Sequence, residues 1–500
     1  MNGVLYFYKQ SLADSHCSSL WYSLLSGVLL LLATPLVGMW PLVWVAFVPF
    51  FLNYFALLGT RKIILAFFLM ITPYALAVCE SLFRLSGTWW VNDGGSLLSL
   101  YALEYAAFVF LVVMFGATFY FIPMLLVSKM QKTVIPLPIL FALLFALAEF
   151  LRSAVFLMGY SWGALGYLLI DAIHIKHIAS FASVYGLTFI AILGNMWITM
   201  LSIRYGQSAG TVMSRLREIF FGKLYAYETI TVALLFIAVF LFGVYRESQA
   251  IDTGYRLRVA VISSNIHTDE SINESSYDTY RSLFIEALTE NPDLILTPEN
   301  IFPYFTIDEE GYVLSRRQPV YLPSAGALYE DFLSLSKEYP RTTFALATHS
   351  EKNGRLFNSI LLYRDGKVLS VYHKRRPVPF TEYAPLGLPI PLFESFARGE
   401  DKQDFRLDDI PLAGYICSEV DITPLSAHGA KLILSPSNDS VFVSKGILSL
   451  HHQITRMRAL ETGAYLLRST KGGISSIIDP YGNTIASMSE KNGVLIADIP

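Results

Sequence analysis

The feature that most limits what this chain can become is a series of apolar stretches long enough to cross a bilayer. A span needs about 20 mostly apolar residues, because the hydrocarbon core is about 30 Å thick. Seven stretches in the first half of the 500-residue chain qualify, at roughly 20–38, 41–59, 63–83, 98–128, 135–158, 178–203 and 226–246. The first two meet through "PLVGMWP", which suits a tight helical hairpin. A second apolar span so close behind the first, with no A-x-A-like site between them, argues against a cleaved signal peptide. Beyond residue 250 the pattern becomes that of a water-facing α/β protein. The expected organisation is a transmembrane helical bundle over 1–250 and a second domain over 251–500.

Basic residues in the short loops set the orientation. Arg61 and Lys62 follow the second span, Lys129 and Lys132 the fourth, and Arg204, Arg215, Arg217 and Lys223 the sixth. The other loops hold little beyond Arg84 and Lys176. This asymmetry predicts an N-terminus inside and residues 250–500 outside, which for a bacterial cell is the periplasmic face of the inner membrane. Within the spans, Glu149 and Arg152 stand three apart on one helical face, where they can pair. The loop "GYSWGALGY" follows directly. Together they read as an internal ion pair beside an aromatic belt, or as a lipid-facing vestibule.

A net charge of −3 gives no reason to expect nucleic acid. Three cysteines, Cys17, Cys79 and Cys417, form neither a disulfide framework nor a metal-ligand cluster. His451 and His452 are adjacent, so on a helix they diverge and make a poor metal pair. No metal and no cofactor is expected.

In the second half, apolar β-branched runs such as "LRVAVISSN", "DLILTPE", "VLSVYHK", "LAGYICSE" and "KLILSPSN" alternate with helical stretches. Strands of this kind suit sheets covered by helices. The turn "DPYGN" favours a terminal hairpin. Three chemically capable residues end such runs: Glu299 in "LTPE", Lys374 in "VYHK" and Cys417 in "GYIC". Strand ends gather at one sheet edge, so residues far apart in sequence can meet there. A thiol beside an ammonium should have a lowered pKa, and a nearby carboxylate can take its proton. A base, an electrostatic stabiliser and a nucleophile suffice for acyl transfer through a thioester.

In this order the motifs resemble the nitrilase superfamily, whose Glu–Lys–Cys triad sits on an αββα sandwich. Joined to a polytopic membrane half, they resemble the apolipoprotein N-acyltransferase family. The resemblance is carried by "ATPLVGMWPL", "LAEFLRS", "SVYGLTFIAILGN", "LTPEN", "LFNSILLY", "YHKRRPVPFTEYAP", "GYICSE", "LSPSNDSVF" and "RMRALETGAYLLRSTKGGISSIIDPYG". It implies an extracytoplasmic sandwich carried on transmembrane helices, with Glu299 as general base, Lys374 as oxyanion stabiliser and Cys417 as nucleophile. It further implies that Glu382 is a second essential acid, that Asn358 orients the centre, and that Glu419 is an acid beside the nucleophile. The implied donor is a phospholipid, typically phosphatidylethanolamine, and the implied acceptor is the α-amine of diacylglyceryl-cysteine in an apolipoprotein. A monomer is expected.

Three positions depart from the family pattern. Ser418 stands where an aromatic residue usually follows the nucleophile, and Thr297 stands where the base motif usually has tryptophan. The sequence reaches "GVLIADIP" where the family continues into a last membrane helix. Two other readings compete: a membrane-tethered amidase that releases its acyl group to water, and a non-catalytic lipid or lipoprotein binder.

Overall fold

The computed structural model describes residues 20–56, 60–92, 116–129, 135–156, 159–208, 211–214, 222, 226–249, 251, 254–266, 274–302, 305–308, 310–311, 313–316, 323–379, 382–383, 395–422, 427, 429–442 and 444–500. The chain divides into two compact units, Met1–Gln249 with Val443–Gln453, and Ala250–Phe442 with Ile454–Pro500.

The first unit is helical: α1 (Trp21–Ala33), α2 (Val48–Ala56), α3 (Thr60–Asn92), α4 (Phe121–Lys129), α5 (Leu137–Leu151), α6 (Ala179–Gln207) and α7 (Ala226–Ser248). Among the described residues, three helical stretches are long and apolar enough to cross a membrane: Leu137–Val155, Ile175–Gly206 and Ala226–Ser248. The apolar stretches at 20–38 and 41–59 hold shorter helices, and 63–83 lies inside α3. Most of the stretch at 98–128 lies outside the described residues. Leu234, Ile237 and Leu241 on α7 are each more than half exposed, an apolar flank suited to lipid rather than water.

Polar atoms inside such a bundle must find partners within it. Asn195 on α6 accepts from the Phe47 N–H at 2.8 Å and donates to the Val43 carbonyl at 2.7 Å. The expected Glu149–Arg152 pair takes a different form. Glu149 accepts from the Tyr120 hydroxyl at 2.7 Å, the Leu165 N–H at 3.0 Å and the Thr188 hydroxyl. Arg152 instead donates to the Trp162 carbonyl at 2.9 Å. Both side chains are buried, so neither opens onto a vestibule.

The second unit is a two-sheet sandwich. Strands β1 (Leu257–Ser263), β2 (Leu294–Leu296), β3 (Phe305–Asp308), β4 (Val313–Arg316), β5 (Thr343–Lys352), β6 (Arg355–Arg364) and β7 (Lys367–His373) build the first sheet. Strands β8 (Arg406–Leu407), β9 (Ile410–Gly414), β10 (Leu432–Asn438), β11 (Tyr465–Lys471), β12 (Ile474–Ile478) and β13 (Thr484–Ser489) build the second. The last strand, β14 (Gly493–Ile499), returns to the first sheet and pairs antiparallel with β1. Strands β3 and β4 pair with each other as an antiparallel hairpin.

Alternation along the strands sorts side chains into layers, because successive residues point to opposite faces. Val259, Val261, Leu294 and Leu296 face Leu432, Leu434 and Leu467 of the other sheet. Their neighbours Ala260, Ile262 and Ile295 pack beneath Phe284 of α8 (Glu274–Thr289) and Phe332 of α9 (Pro323–Glu338). On the second sheet, Leu467 points inward while Arg468 points outward and donates to the Thr455 hydroxyl at 2.9 Å. Thr455 belongs to α10 (Lys445–Thr462), whose residues from Ile454 onward lie in this unit. The layering is helix, sheet, sheet, helix.

Candidate active site

The three residues at strand ends come together because the strands that carry them finish at matching edges. β2 runs parallel to β5, and two antiparallel steps through β6 bring β7 into the same direction. Glu299 therefore emerges after β2 at the edge where Lys374 emerges after β7. On the facing sheet β9, β10 and β11 are parallel, and Cys417 lies just beyond β9. Close approach of the two sheets is set by Gly414. A Cβ there would lie 2.2 Å from the Tyr372 ring, so only glycine lets β9 pass so near β7.

Glu299 is fixed by two donors: the Asn358 side-chain amide at 2.8 Å and the backbone N–H of Asn438 at 2.8 Å. Asn358 reaches on to Glu382 at 3.1 Å. Lys374 places its ammonium 2.9 Å from Glu382, and its own backbone N–H donates to the Asn358 carbonyl at 2.8 Å. Burial acts to raise the Glu382 carboxyl. The Lys374 ammonium, with hydrogen bonds from Lys374, the Val378 N–H and Asn358, outweighs it and holds the group below the usual carboxylate range. Burial likewise acts to lower Lys374, but Glu382, Glu299 and Cys417 together hold it above the usual lysine value. The lysine is a fixed cation. Glu382 is mostly buried at its side, not a charged surface residue.

The thiol differs from expectation. Proximity to Lys374 predicts a lowered pKa, whereas Cys417 is pushed well above its ordinary value. Burial is the main cause and the Glu299 carboxylate the next; Lys374 and Ser437 oppose the shift and do not overcome it. The lysine charge is largely answered by Glu382, which leaves less of it for the sulfur. A thiol held neutral in this way needs a base if it is to attack as a nucleophile. Cys417 keeps part of its surface open. It also adopts φ 50°, the left-handed region that side chains with a Cβ avoid, at the start of the short 3-10 turn Cys417–Asp421.

Glu419 is fully buried. It accepts from the N–H groups of Ile416 at 2.9 Å, Arg375 at 2.7 Å and Arg376 at 3.1 Å, and from the Tyr372 hydroxyl at 3.1 Å. It ties the nucleophile turn to the segment carrying Lys374, as a strut. The Ser418 hydroxyl is buried without a hydrogen-bond partner among the described residues.

Sequence reasoning passed over three contributors. The Asn438 N–H holds Glu299, and its position in "LSPSNDSVF" at the end of a strand is the only signal for it. Asp439 and Arg468, both buried, pair at 2.7 Å on the second sheet. Lys471, at the end of β11, is buried and donates to the Asn300 carbonyl at 2.6 Å. Among the described residues, no cluster of three or more His, Cys, Asp or Glu side chains is arranged to hold a metal ion.

A sandwich with a cysteine, a carboxylate and a lysine at its strand ends defines a hydrolase-like class, and residues 258–500 match the carbon-nitrogen hydrolase family. Residues 26–197 match the N-terminal domain of apolipoprotein N-acyltransferases. The chain belongs to the apolipoprotein N-acyltransferase family. Relatives of that name include one from Aquifex aeolicus, 25% identical over 371 residues covering 71% of this chain and 74% of that protein. Another, from Geobacter metallireducens, is 27% identical over 487 residues, covering 92% of this chain and 85% of the relative. A third, from Pseudomonas putida, is 27% identical over 446 residues, covering 83% and 79%.

Proposed function

We propose that this protein N-acylates lipoproteins by moving an acyl chain from a phospholipid, through a thioester on Cys417, to an apolipoprotein's N-terminal amine. The observation that carries the reading is the neutral Cys417 thiol beside Glu299, a carboxylate fixed by Asn358 and the Asn438 N–H. That arrangement calls for a base-assisted nucleophile.

In the first half-reaction Glu299 takes the thiol proton as the sulfur attacks the ester carbonyl of the donor. Negative charge develops on the carbonyl oxygen, and the Lys374 ammonium, with backbone N–H groups after Cys417, stabilises it. The C–O bond breaks, the proton on Glu299 passes to the leaving alkoxide, and lysophospholipid departs. In the second half the α-amine of diacylglyceryl-cysteine attacks the thioester. Glu299 accepts a proton from that nitrogen, the C–S bond breaks, and the proton returns to the sulfur. Glu382 and Asn358 hold the lysine and the base in register, and Ser418 borders the nucleophile. Phosphatidylethanolamine is the donor in this reading, and the protein acts as a monomer. The seven apolar stretches cross the bacterial inner membrane and leave the sandwich on the periplasmic side, where both lipid substrates are held.

The test is intact-mass spectrometry of the full chain after incubation with phosphatidylethanolamine. An acyl adduct on Cys417, absent from Cys417→Ala and discharged by a diacylglyceryl peptide, is the expected result. Product formed by Cys417→Ala at the wild-type rate would sink the thioester route. Discharge to water alone would favour the amidase reading.

A further inference from the structure

Lys471 has no part in the chemistry above, yet it is 5% exposed and ends β11 beside the Glu299 segment. It pairs across the sheet with Asn438, the residue whose N–H holds Glu299 at 2.8 Å. Its backbone carbonyl accepts from the Asp439 N–H at 2.9 Å. Its ammonium donates to the carbonyl of Asn300, the residue after Glu299, at 2.6 Å. Asn300 itself sits at φ 51°. The Glu299–Asn300 segment is therefore gripped from two adjacent strands, by an N–H from β10 and by an ammonium from β11. Burying an ammonium against one carbonyl is costly, and an uncharged side chain of similar length would avoid that cost.

We propose that Lys471 is a positioning residue for Glu299, a second cation of the centre that holds the segment of the base in place. This rests on the reading of Glu299 as the base for Cys417. The charged groups around Lys471 are few. Glu299 faces it from the segment after β2. Asp439, from the end of β10, is bound by Arg468 at 2.7 Å. Glu382 and Lys374 are reached from Glu299 through Asn358, which donates to both carboxyl groups. Burial lowers Lys471 to about 8, against the opposing pull of Glu299. It is thus cationic through neutral pH and loses its charge just above.

The experiment follows single-turnover acylation of Cys417 by phosphatidylethanolamine, from about pH 5 to about pH 10, in the full-length protein. Wild type should lose acylation rate above about pH 8, where Lys471 gives up the charge that grips the Asn300 carbonyl. In Lys471→Met acylation should fall about tenfold at neutral pH and the loss above about pH 8 should vanish. Lys471→Arg should restore the wild-type rate at neutral pH and hold it above about pH 8. A Lys471→Met rate equal to wild type at neutral pH overturns the proposal. If that variant does not fold, superimposable wild-type and Lys471→Arg profiles overturn it equally. Absence of adduct in wild type at every pH, or full acylation by Glu299→Gln, instead overturns the role of Glu299 beneath it.

Discussion

Both units bury a carboxylate near a cation and among neutral donors, with opposite outcomes. In the helical unit, Glu149 is enclosed by the Tyr120 hydroxyl, the Leu165 N–H and the Thr188 hydroxyl, while the Arg152 guanidinium lies 5.2 Å from the Tyr120 ring centre. The three donors to Glu149 are closed into a local knot, and none of them is a reactive atom. In the sandwich, Glu299 has two neutral donors on one side and an uncharged, partly open thiol on the other. A buried carboxylate becomes chemistry where a neighbour has a proton to give and a path for substrate. Where all its lone pairs are taken, it is a fastener.

Four substitutions break or sharpen that contrast. Glu299→Gln should have the largest effect, slowing Cys417 acylation on the order of 10³-fold, as expected for loss of a general base. An acylation rate within tenfold of wild type, read by mass spectrometry, would erase the distinction between the two carboxylates. Glu382→Gln removes the anion that fixes Lys374 and should cost on the order of 10²-fold in the same assay. Because the folded Glu382 carboxyl titrates below its unfolded value, its contribution to stability is present above the unfolded value and is lost as pH falls through the folded one. Denaturation of wild type should therefore steepen in acid, and Glu382→Gln should flatten that dependence.

Glu149→Ala should act the other way round, lowering stability by about 3 kcal/mol by leaving three buried donors without their acceptor. Thermal unfolding reads the loss, and acylation per folded molecule should be unchanged. Ser418→Ala is the smallest, since its buried hydroxyl has no partner to lose among the described residues. Acylation should stay within about twofold and melting should hold or rise slightly.

The gathering of Glu299, Lys374 and Cys417 is readable because each ends an apolar run, and strand ends in parallel sheets meet at one edge. The apolar stretches are readable by length, and among the described residues three of them coincide with helices long enough to cross a membrane. What stayed hidden depends on contacts between distant residues. Glu419, one residue after Ser418, looks like an acid of the reacting centre, yet backbone donors from the Lys374 segment occupy it. The thiol's raised pKa could not be read from its neighbours, since burial and the Glu382 partner of Lys374 decide its sign. Lys471 sits in "RSTKGG", where a lysine before glycines reads as the exposed end of a strand. The pairing with Asn438 turns it inward. The β3–β4 hairpin is four residues on each strand and polar enough to pass for loop.

The strut at Glu419 makes the sulfur and the cation parts of one stiff jaw. A twist of the turn that bears Cys417 drags the backbone of Arg375 and Arg376, and Lys374 travels with it. The chemistry therefore offers every incoming ester the same unyielding bite, so tolerance for differently shaped lipids has to come from parts of the chain outside that jaw.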